Sequence, residues 1–252
     1  MKKRLEIKDK LIISVDVSKK NDVISLCKRI NNKVTTLKLG LEVIYSTDFS
    51  IIETVKSFGY KVLLDLKLLD IPNTVTRAIN SIYKLNIDMV TIHVLGGKEM
   101  LRSARDKLHE LSERNKKLSP LIFGVTILTS LGSVDLKEMG FKDGHLSTVL
   151  NLAGVAIDSG IGGIICSPNE VKDIREKYGN NFYIATPGIR LKRDSAGDQK
   201  RINTPGNAIL NGSDFIIVGR SITGKDNIEK IIEIYLSEIS KALKSNESYK
   251  SN

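Results

Sequence analysis

The sequence predicts an α/β fold, a single-domain (β/α)8 TIM barrel. Short apolar segments rich in Ile, Val and Leu alternate with amphipathic segments, and the alternation repeats about eight times within 252 residues. A length of roughly 250 residues is typical of this barrel. The alternative is a doubly wound open sheet, but no GxGxxG motif follows the first predicted strand, as a dinucleotide-binding sheet would require.

The predicted strands are short apolar runs that are bounded by polar residues, glycine or proline. In chain order they are residues 11–17, 34–40, 61–68, 89–95, 121–128, 163–166, 182–189 and 215–219. The main predicted helices, which show apolar residues at helical spacing, are residues 22–30, 49–58, 74–85, 99–114, 146–159, 169–178 and 227–244. We expect one domain over residues 1–252, with a loose N-terminus at 1–10 and a polar C-terminal tail at 245–252.

The composition is that of an ordinary globular protein, with 41% hydrophobic and 27% charged residues, which argues against a disordered chain. No apolar run approaches the ~20 residues that cross a bilayer. The basic N-terminus precedes a short apolar stretch that contains Asp16, which makes a poor signal peptide. Cys27 and Cys166 both lie in apolar segments, as expected of reduced cysteines. We therefore predict a cytoplasmic protein without a membrane partner.

The net charge is +10, from 39 basic and 29 acidic residues, and this balance alone would favour a nucleic-acid partner. However, aromatic residues make up 5% of the chain, Trp is absent, and the basic residues are spread along the whole sequence. We expect a solvated basic surface with one anion site and no nucleic-acid partner. A non-catalytic barrel that binds phosphate or RNA stays open as an alternative.

Three predicted strands place charges inside the barrel. Because side chains alternate between the two faces of a strand, Asp65 and Lys67 share the inward face of the third strand. The same alternation turns Asp16 and Lys38 inward from the first two strands. Enclosed charges are costly unless they pair, and the carboxyl ends of barrel strands hold active sites. The four charges predict a catalytic site, and a purely structural salt-bridge cluster is the alternative.

The segments after the seventh and eighth strands predict a phosphate site, which this fold commonly places there. Gly219 permits a close approach to the backbone, and Arg220 can donate two hydrogen bonds to phosphate oxygens. Arg190 follows the seventh strand, and we expect residues 190–201 to form a lid over the site. The alternative is a solvated basic loop.

Taken together, these motifs resemble the orotidine 5′-phosphate decarboxylase family, in its bacterial form. The most specific is Asp65-x-Lys67-x-x-Asp70-Ile71-Pro72-Asn73-Thr74. The others follow in the family's order: Val15-Asp16, Lys38-x-Gly40, Leu128-Thr129-Ser130, Thr186-Pro187-Gly188-Ile189-Arg190, Gly197-Asp198-Gln199 and Val218-Gly219-Arg220-Ser221-Ile222. The resemblance covers nearly everything between residue 11 and about residue 243.

The resemblance implies decarboxylation of orotidine 5′-monophosphate to UMP and carbon dioxide, the last step of de novo pyrimidine nucleotide synthesis, without metal or organic cofactor. It implies that Lys67 protonates C6 of the pyrimidine while Asp65 lies against the departing carboxylate. Lys38 belongs to the same charged array. It also implies a homodimer in which Asp70 of one subunit completes the array of the other.

Roles in substrate binding are implied by the resemblance as well. Asp16 and Lys38 would contact the ribose, and Thr129 would contact the base. Ile71 and Thr74 would reach across the dimer interface together with Asp70. A second group would hold the phosphate: Gln199, Gly219 and Arg220, with Arg190 nearby.

The closest alternative is a related barrel that decarboxylates or condenses sugar phosphates with Mg²⁺ and carries a similar Asp-x-Lys-x-x-Asp motif. Those relatives have a metal-binding Glu where this chain has Lys38, and a cation there would repel Mg²⁺.

Overall fold

A computed structural model describes residues 5–192 and 203–250 and shows a closed barrel of eight parallel strands, joined in chain order. The strands are β1 (Leu11–Val15), β2 (Thr36–Gly40), β3 (Lys61–Leu68), β4 (Met89–His93), β5 (Leu121–Val125), β6 (Gly163–Ile165), β7 (Tyr183–Thr186) and β8 (Phe215–Val218). β1 pairs with both β2 and β8, and the second pairing closes the barrel. The predicted fold is confirmed, and the open-sheet alternative is wrong.

Helices surround the strands. Among the described residues they are α1 (Lys20–Ile30), α2 (Leu41–Ser46), α3 (Ile51–Ser57), α4 (Pro72–Tyr83), α5 (Gly97–Arg114), α6 (Ser133–Glu138), α7 (His145–Asp158), α8 (Val171–Tyr178), α9 (Pro205–Leu210), α10 (Arg220–Thr223) and α11 (Ile228–Lys250). Pro72 stands at the first position of α4, where a missing N–H costs nothing, so the helix begins directly after β3. Across the residues described here, no helix combines the length and the apolar character needed to cross a membrane.

Both ends of the chain carry more structure than the sequence predicted. Ile7–Asp9 form a 3-10 helix, and the Asp9 carboxylate accepts a hydrogen bond of 2.7 Å from the Thr35 hydroxyl, which ties this segment to the start of β2. α11 continues to Lys250, past the predicted end at residue 244. The added residues are polar but contain neither glycine nor proline, so nothing in them stops a helix.

The apolar residues form two layers. The outer layer packs strands against helices, as with Val62 and Leu64 of β3. The inner layer fills the barrel itself and consists of Ile12, Leu63, Met89, Phe123, Val125, Ile165, Ala185, Phe215 and Ile217. Within it the rings of Phe123 and Phe215 meet edge to face, with their centroids 5.9 Å apart. The inward-facing charges Lys38, Asp65 and Lys67 lie beyond this apolar layer, toward the carboxyl ends of their strands.

Candidate active site

Four charged side chains from β1, β2 and β3 meet at the carboxyl end of the barrel. The Lys38 ammonium lies 3.2 Å from Oδ2 of Asp65 and 3.7 Å from Oδ1 of Asp16. The Lys67 ammonium lies 2.9 Å from the other oxygen, Oδ1, of Asp65. Negative and positive groups therefore alternate along the row Asp16, Lys38, Asp65, Lys67. The structure brings together the four charges that strand alternation turns inward.

Asp65 is the most buried member of this row, with 6% of its surface exposed. Burial alone would raise the pKa of its carboxyl group, but Lys38 and Lys67, together with hydrogen bonds from Lys67 and Thr91, hold that pKa below its ordinary value of 3.8. His93 of β4 lies near the same end. Its pKa is lowered by burial and by the positive charge of Lys67, which favours the neutral imidazole.

The row forms one wall of a cavity of about 340 Å³. The predicted site residues that line it are Asp16, Lys38, Asp65, Lys67, Thr129, Arg190, Gly219 and Arg220. Apolar side chains form another part of the lining, among them Ile127, Ile165 and Ile217. A molecule with both apolar and anionic parts suits such a cavity, because its lining combines charged, apolar and basic side chains.

Gly219 directly follows β8 and lies beside Asp16 of the charged row. A Cβ atom at this position would come within 2.7 Å of Oδ2 of Asp16 and 3.4 Å of Cβ of Ser14. A side chain here would therefore collide with the row. Arg220 follows directly and lines the cavity, and Arg190 lines it from the segment that follows β7.

Several predicted site residues are not brought to the cavity that the described residues form. Asp70, Ile71 and Thr74 follow β3 on the surface, and Ile71 is 66% exposed. The Asp70 carboxylate accepts a hydrogen bond of 2.6 Å from the Ile71 backbone N–H. Gln199 lies outside the described residues, and so does most of the predicted lid at residues 190–201.

Two hydroxyl groups at this end of the barrel were missed by the sequence reasoning. The Ser14 hydroxyl donates a hydrogen bond of 2.7 Å to Asp16, and the Thr91 hydroxyl donates one of 2.9 Å to Asp65. Strand alternation carries the signal that could have found them. Ser14 shares the inward face of β1 with Asp16, and Thr91 shares the inward face of β4 with His93.

The arrangement can support proton transfer next to a developing negative charge. An ammonium group that is held beside the reacting atoms can stabilise a developing anion and then donate a proton to it. The fold and the site together define a (β/α)8 barrel with a charged cavity at the carboxyl ends of its strands, where enzymes of this fold hold their active sites.

Comparison with known proteins makes the assignment more specific. Residues 9–235 match the Orotidine 5'-phosphate decarboxylase / HUMPS family, and the chain belongs to this family. Orotidine 5'-phosphate decarboxylase of Carboxydothermus hydrogenoformans is 40% identical over 231 residues, which cover 92% of this chain and 96% of the relative. The enzyme of the same name from Fusobacterium nucleatum is 39% identical over 225 residues, covering 89% and 93% of the two chains.

Solved structures agree with this assignment. The crystal structure of Orotidine 5'-phosphate decarboxylase from Lactobacillus acidophilus superposes with a TM-score of 0.81 at 33% identity and covers 92% of this chain and 99% of that chain. An uncharacterized conserved protein from Geobacillus kaustophilus superposes with a TM-score of 0.80 at 30% identity.

Proposed function

We propose that this chain is a carboxy-lyase that converts orotidine 5′-monophosphate to UMP and carbon dioxide, the last step of de novo pyrimidine nucleotide synthesis. The observation that carries the proposal is the Lys67 ammonium, held 2.9 Å from Asp65 at the wall of the cavity. The family membership of the chain and the names of its relatives support the same reaction.

The reaction needs fixed charges because of the anion it forms. When the bond between C6 and the carboxylate breaks, its electron pair stays on C6 in the plane of the pyrimidine ring. The π system cannot delocalise a pair in that plane, and no cofactor serves as an electron sink in the proposed reaction. Stabilisation must therefore come from charges that are already in position when the bond breaks.

Lys67 is the proposed proton donor. Its ammonium stabilises the negative charge that grows on C6 and then transfers a proton to that carbon, while carbon dioxide leaves. Asp65 holds the Lys67 ammonium in place through an ion pair of 2.9 Å and lies against the carboxylate that departs. Lys38, on the other side of Asp65 at 3.2 Å, keeps Asp65 ionised in its buried position.

The remaining predicted site residues are proposed to hold the two ends of the substrate. Asp16 and Lys38 bind the ribose, and Thr129 binds the base. The phosphate is bound by Gly219, Arg220, Arg190 and Gln199. Binding energy from the phosphate, which lies away from the reacting carbon, can drive closure of the lid and so assist the chemical step.

A homodimer is part of the proposal, with Asp70 completing the array of the partner subunit. Exposed apolar side chains around Asp70 support it, because Leu69 is 52% exposed, Ile71 is 66% exposed and Leu95 is 41% exposed. Leu69 lies beside the start of α5, where a Cβ on Gly96 would lie 3.3 Å from its Cδ1. A surface of this kind favours burial against a second copy.

The proposal includes no metal or organic cofactor. The Mg²⁺-dependent alternative would need an acidic ligand where the Lys38 ammonium lies between Asp16 and Asp65. We also propose a cytoplasmic location without a nucleic-acid or membrane partner. Cys27 and Cys166 are both buried and form no disulfide, as in proteins of a reducing compartment.

The test is an ultraviolet absorbance assay of orotidine 5′-monophosphate turnover in the presence of EDTA. We expect turnover by the wild-type protein and its collapse in Lys67→Ala. Lys98→Ala is the matched control, because Lys98 pairs with Asp158 at 2.9 Å on the exposed surface. Absence of turnover by folded wild-type protein would refute the proposal, and sugar phosphates with Mg²⁺ would then be the substrates to test.

A further inference from the structure

The pairing of β3 with β4 is irregular beside the catalytic residues. Leu64 pairs with Val90 and Leu68 pairs with Ile92, so that three residues of β3 lie opposite Thr91 alone. Lys67 lies within this bulge with a φ of +49°, in the left-handed region that non-glycine residues rarely adopt. The bulge interrupts the regular hydrogen bonds between the two strands.

The hydroxyl group of Thr91 replaces the interrupted hydrogen bonds. It accepts a hydrogen bond of 2.8 Å from the Lys67 backbone N–H and donates one of 2.9 Å to Oδ1 of Asp65. The Lys67 ammonium bonds the same Oδ1 atom at 2.9 Å. One oxygen atom of β4 therefore contacts both the backbone of Lys67 and the carboxylate that pairs with its side chain.

We propose that Thr91 is a positioning residue for the decarboxylation reaction, whose hydroxyl group fixes the Lys67 ammonium and the Asp65 carboxylate relative to each other. This inference rests on the proposed function. Thr91 is fully buried, with 0% exposure, so its hydroxyl acts through Asp65 and Lys67 rather than on the substrate. A displaced proton donor slows the chemical step more than it weakens binding.

Thr91→Val removes the hydroxyl while keeping the shape of the side chain. We expect kcat for orotidine 5′-monophosphate to fall about 10-fold to 100-fold with little change in KM. Thr91→Ser keeps the hydroxyl and should retain most of the activity. Thr148→Val is the matched control, because that buried hydroxyl donates to the carbonyl of Gly144, the residue that precedes α7, and Thr148 does not line the cavity; kcat should be unchanged.

If Thr91→Val does not fold, Thr91→Ser can be compared with Thr91→Ala. The serine and alanine variants both lack the threonine methyl group, and only the serine variant keeps the hydroxyl group. Higher kcat in the serine variant supports the proposal. Equal kcat in the two variants would overturn it, because packing would then account for the role of the side chain. Wild-type kinetics in Thr91→Val would overturn it as well.

A measurement without substrate separates this inference from the proposed function. The Asp65 carboxyl group can be titrated by NMR in the free protein. Loss of the Thr91 hydroxyl should raise the pKa of Asp65 in Thr91→Val, and Thr91→Ser should leave that pKa near the wild-type value. An unchanged pKa in Thr91→Val would contradict the positioning role. If the wild type does not turn over the substrate, the proposed function fails while this contact can still be tested.

Discussion

The Lys38 ammonium and the Asp65 carboxylate face each other across the β2–β3 pair, 3.2 Å apart. Asp65 is the more buried partner, and only 8% of its side chain is exposed, against 13% for Lys38. A carboxylate in such a place must keep cations around it, because an uncompensated buried charge is strongly destabilising. The lysines that serve the proposed chemistry therefore also make the ionised Asp65 compatible with the fold.

Asp65→Asn should lower the free energy of unfolding near neutral pH by about 3 to 5 kcal/mol, since two lysines lose their shared buried counter-ion. In the wild type the pKa of Asp65 lies below its ordinary value of 3.8. The contribution of the ionised Asp65 carboxylate to the free energy of unfolding is therefore fully present at pH values above 3.8. It is lost as the pH falls through the lowered pKa of the folded protein. Urea unfolding at several pH values should show the difference between variant and wild type shrinking in acid. A variant as stable as the wild type at neutral pH would contradict this expectation.

Gly219→Ala should weaken substrate binding, because its Cβ would lie 2.7 Å from Oδ2 of Asp16. Asp16 has little room to move, since its other oxygen accepts a hydrogen bond of 2.7 Å from Ser14. We expect KM to rise about tenfold or more. Gly206→Ala is the control, because the nearest atom to its Cβ is a backbone oxygen at 3.8 Å. Steady-state kinetics that do not differ between the two variants would argue against a close approach at Gly219.

Arg220→Ala should lower kcat/KM about 100-fold, although Arg220 touches no reacting atom in the proposed mechanism. In the proposed mechanism the Arg220 guanidinium binds the phosphate group of the substrate, and this binding energy contributes to the reaction. The decrease in kcat/KM should therefore be smaller for a substrate that has no phosphate group. Measurement of kcat/KM for orotidine 5′-monophosphate and for orotidine tests both statements. Arg102→Ala provides the control, since Arg102 lies exposed on α5. Unchanged kcat/KM in Arg220→Ala would refute the phosphate assignment.

A mixture of Lys67→Ala and Asp70→Ala should regain activity that neither variant has alone. If Asp70 acts in the partner's site, each mixed dimer holds one site with both residues intact. Random exchange of subunits then restores about a quarter of the wild-type sites. A mixture of Lys67→Ala with Asp65→Asn should stay inactive, because those residues belong to one subunit. No recovery in the first mixture after demonstrated subunit exchange would exclude a shared Asp70.

Strand alternation is sufficient to predict where Asp16, Lys38 and Asp65 lie. All three inward directions follow from the period of two, and the predicted bounds of the third strand are those of β3. The bulge at Lys67 could not be predicted, because it depends on the register between β3 and β4. The sequence of one strand alone does not determine how it is aligned with its neighbour. The hydrogen bonds of Thr91 depend on that register and were missed with it.

Element ends were less predictable than element positions. The fifth strand was expected to continue to residue 128, but β5 ends at Val125. The apolar run continues because Ile127 is buried in the segment that follows β5, so hydrophobicity alone does not mark the end of a strand. Short helices such as α6, α9 and α10 were also missed, since four to six residues are too few to show helical spacing.

The pairing of β1 with β8 has a consequence for how the protein is made. Residues 16–67 emerge from the ribosome early in translation. The nascent chain therefore contains all four charged residues of the row long before Gly219 and Arg220 have been synthesised. Until β8 pairs with β1, that chain lacks the closed barrel and the two residues that are proposed to bind the phosphate. If the proposed function is right, a chain can therefore bind its substrate only late in translation, after β8 has been synthesised.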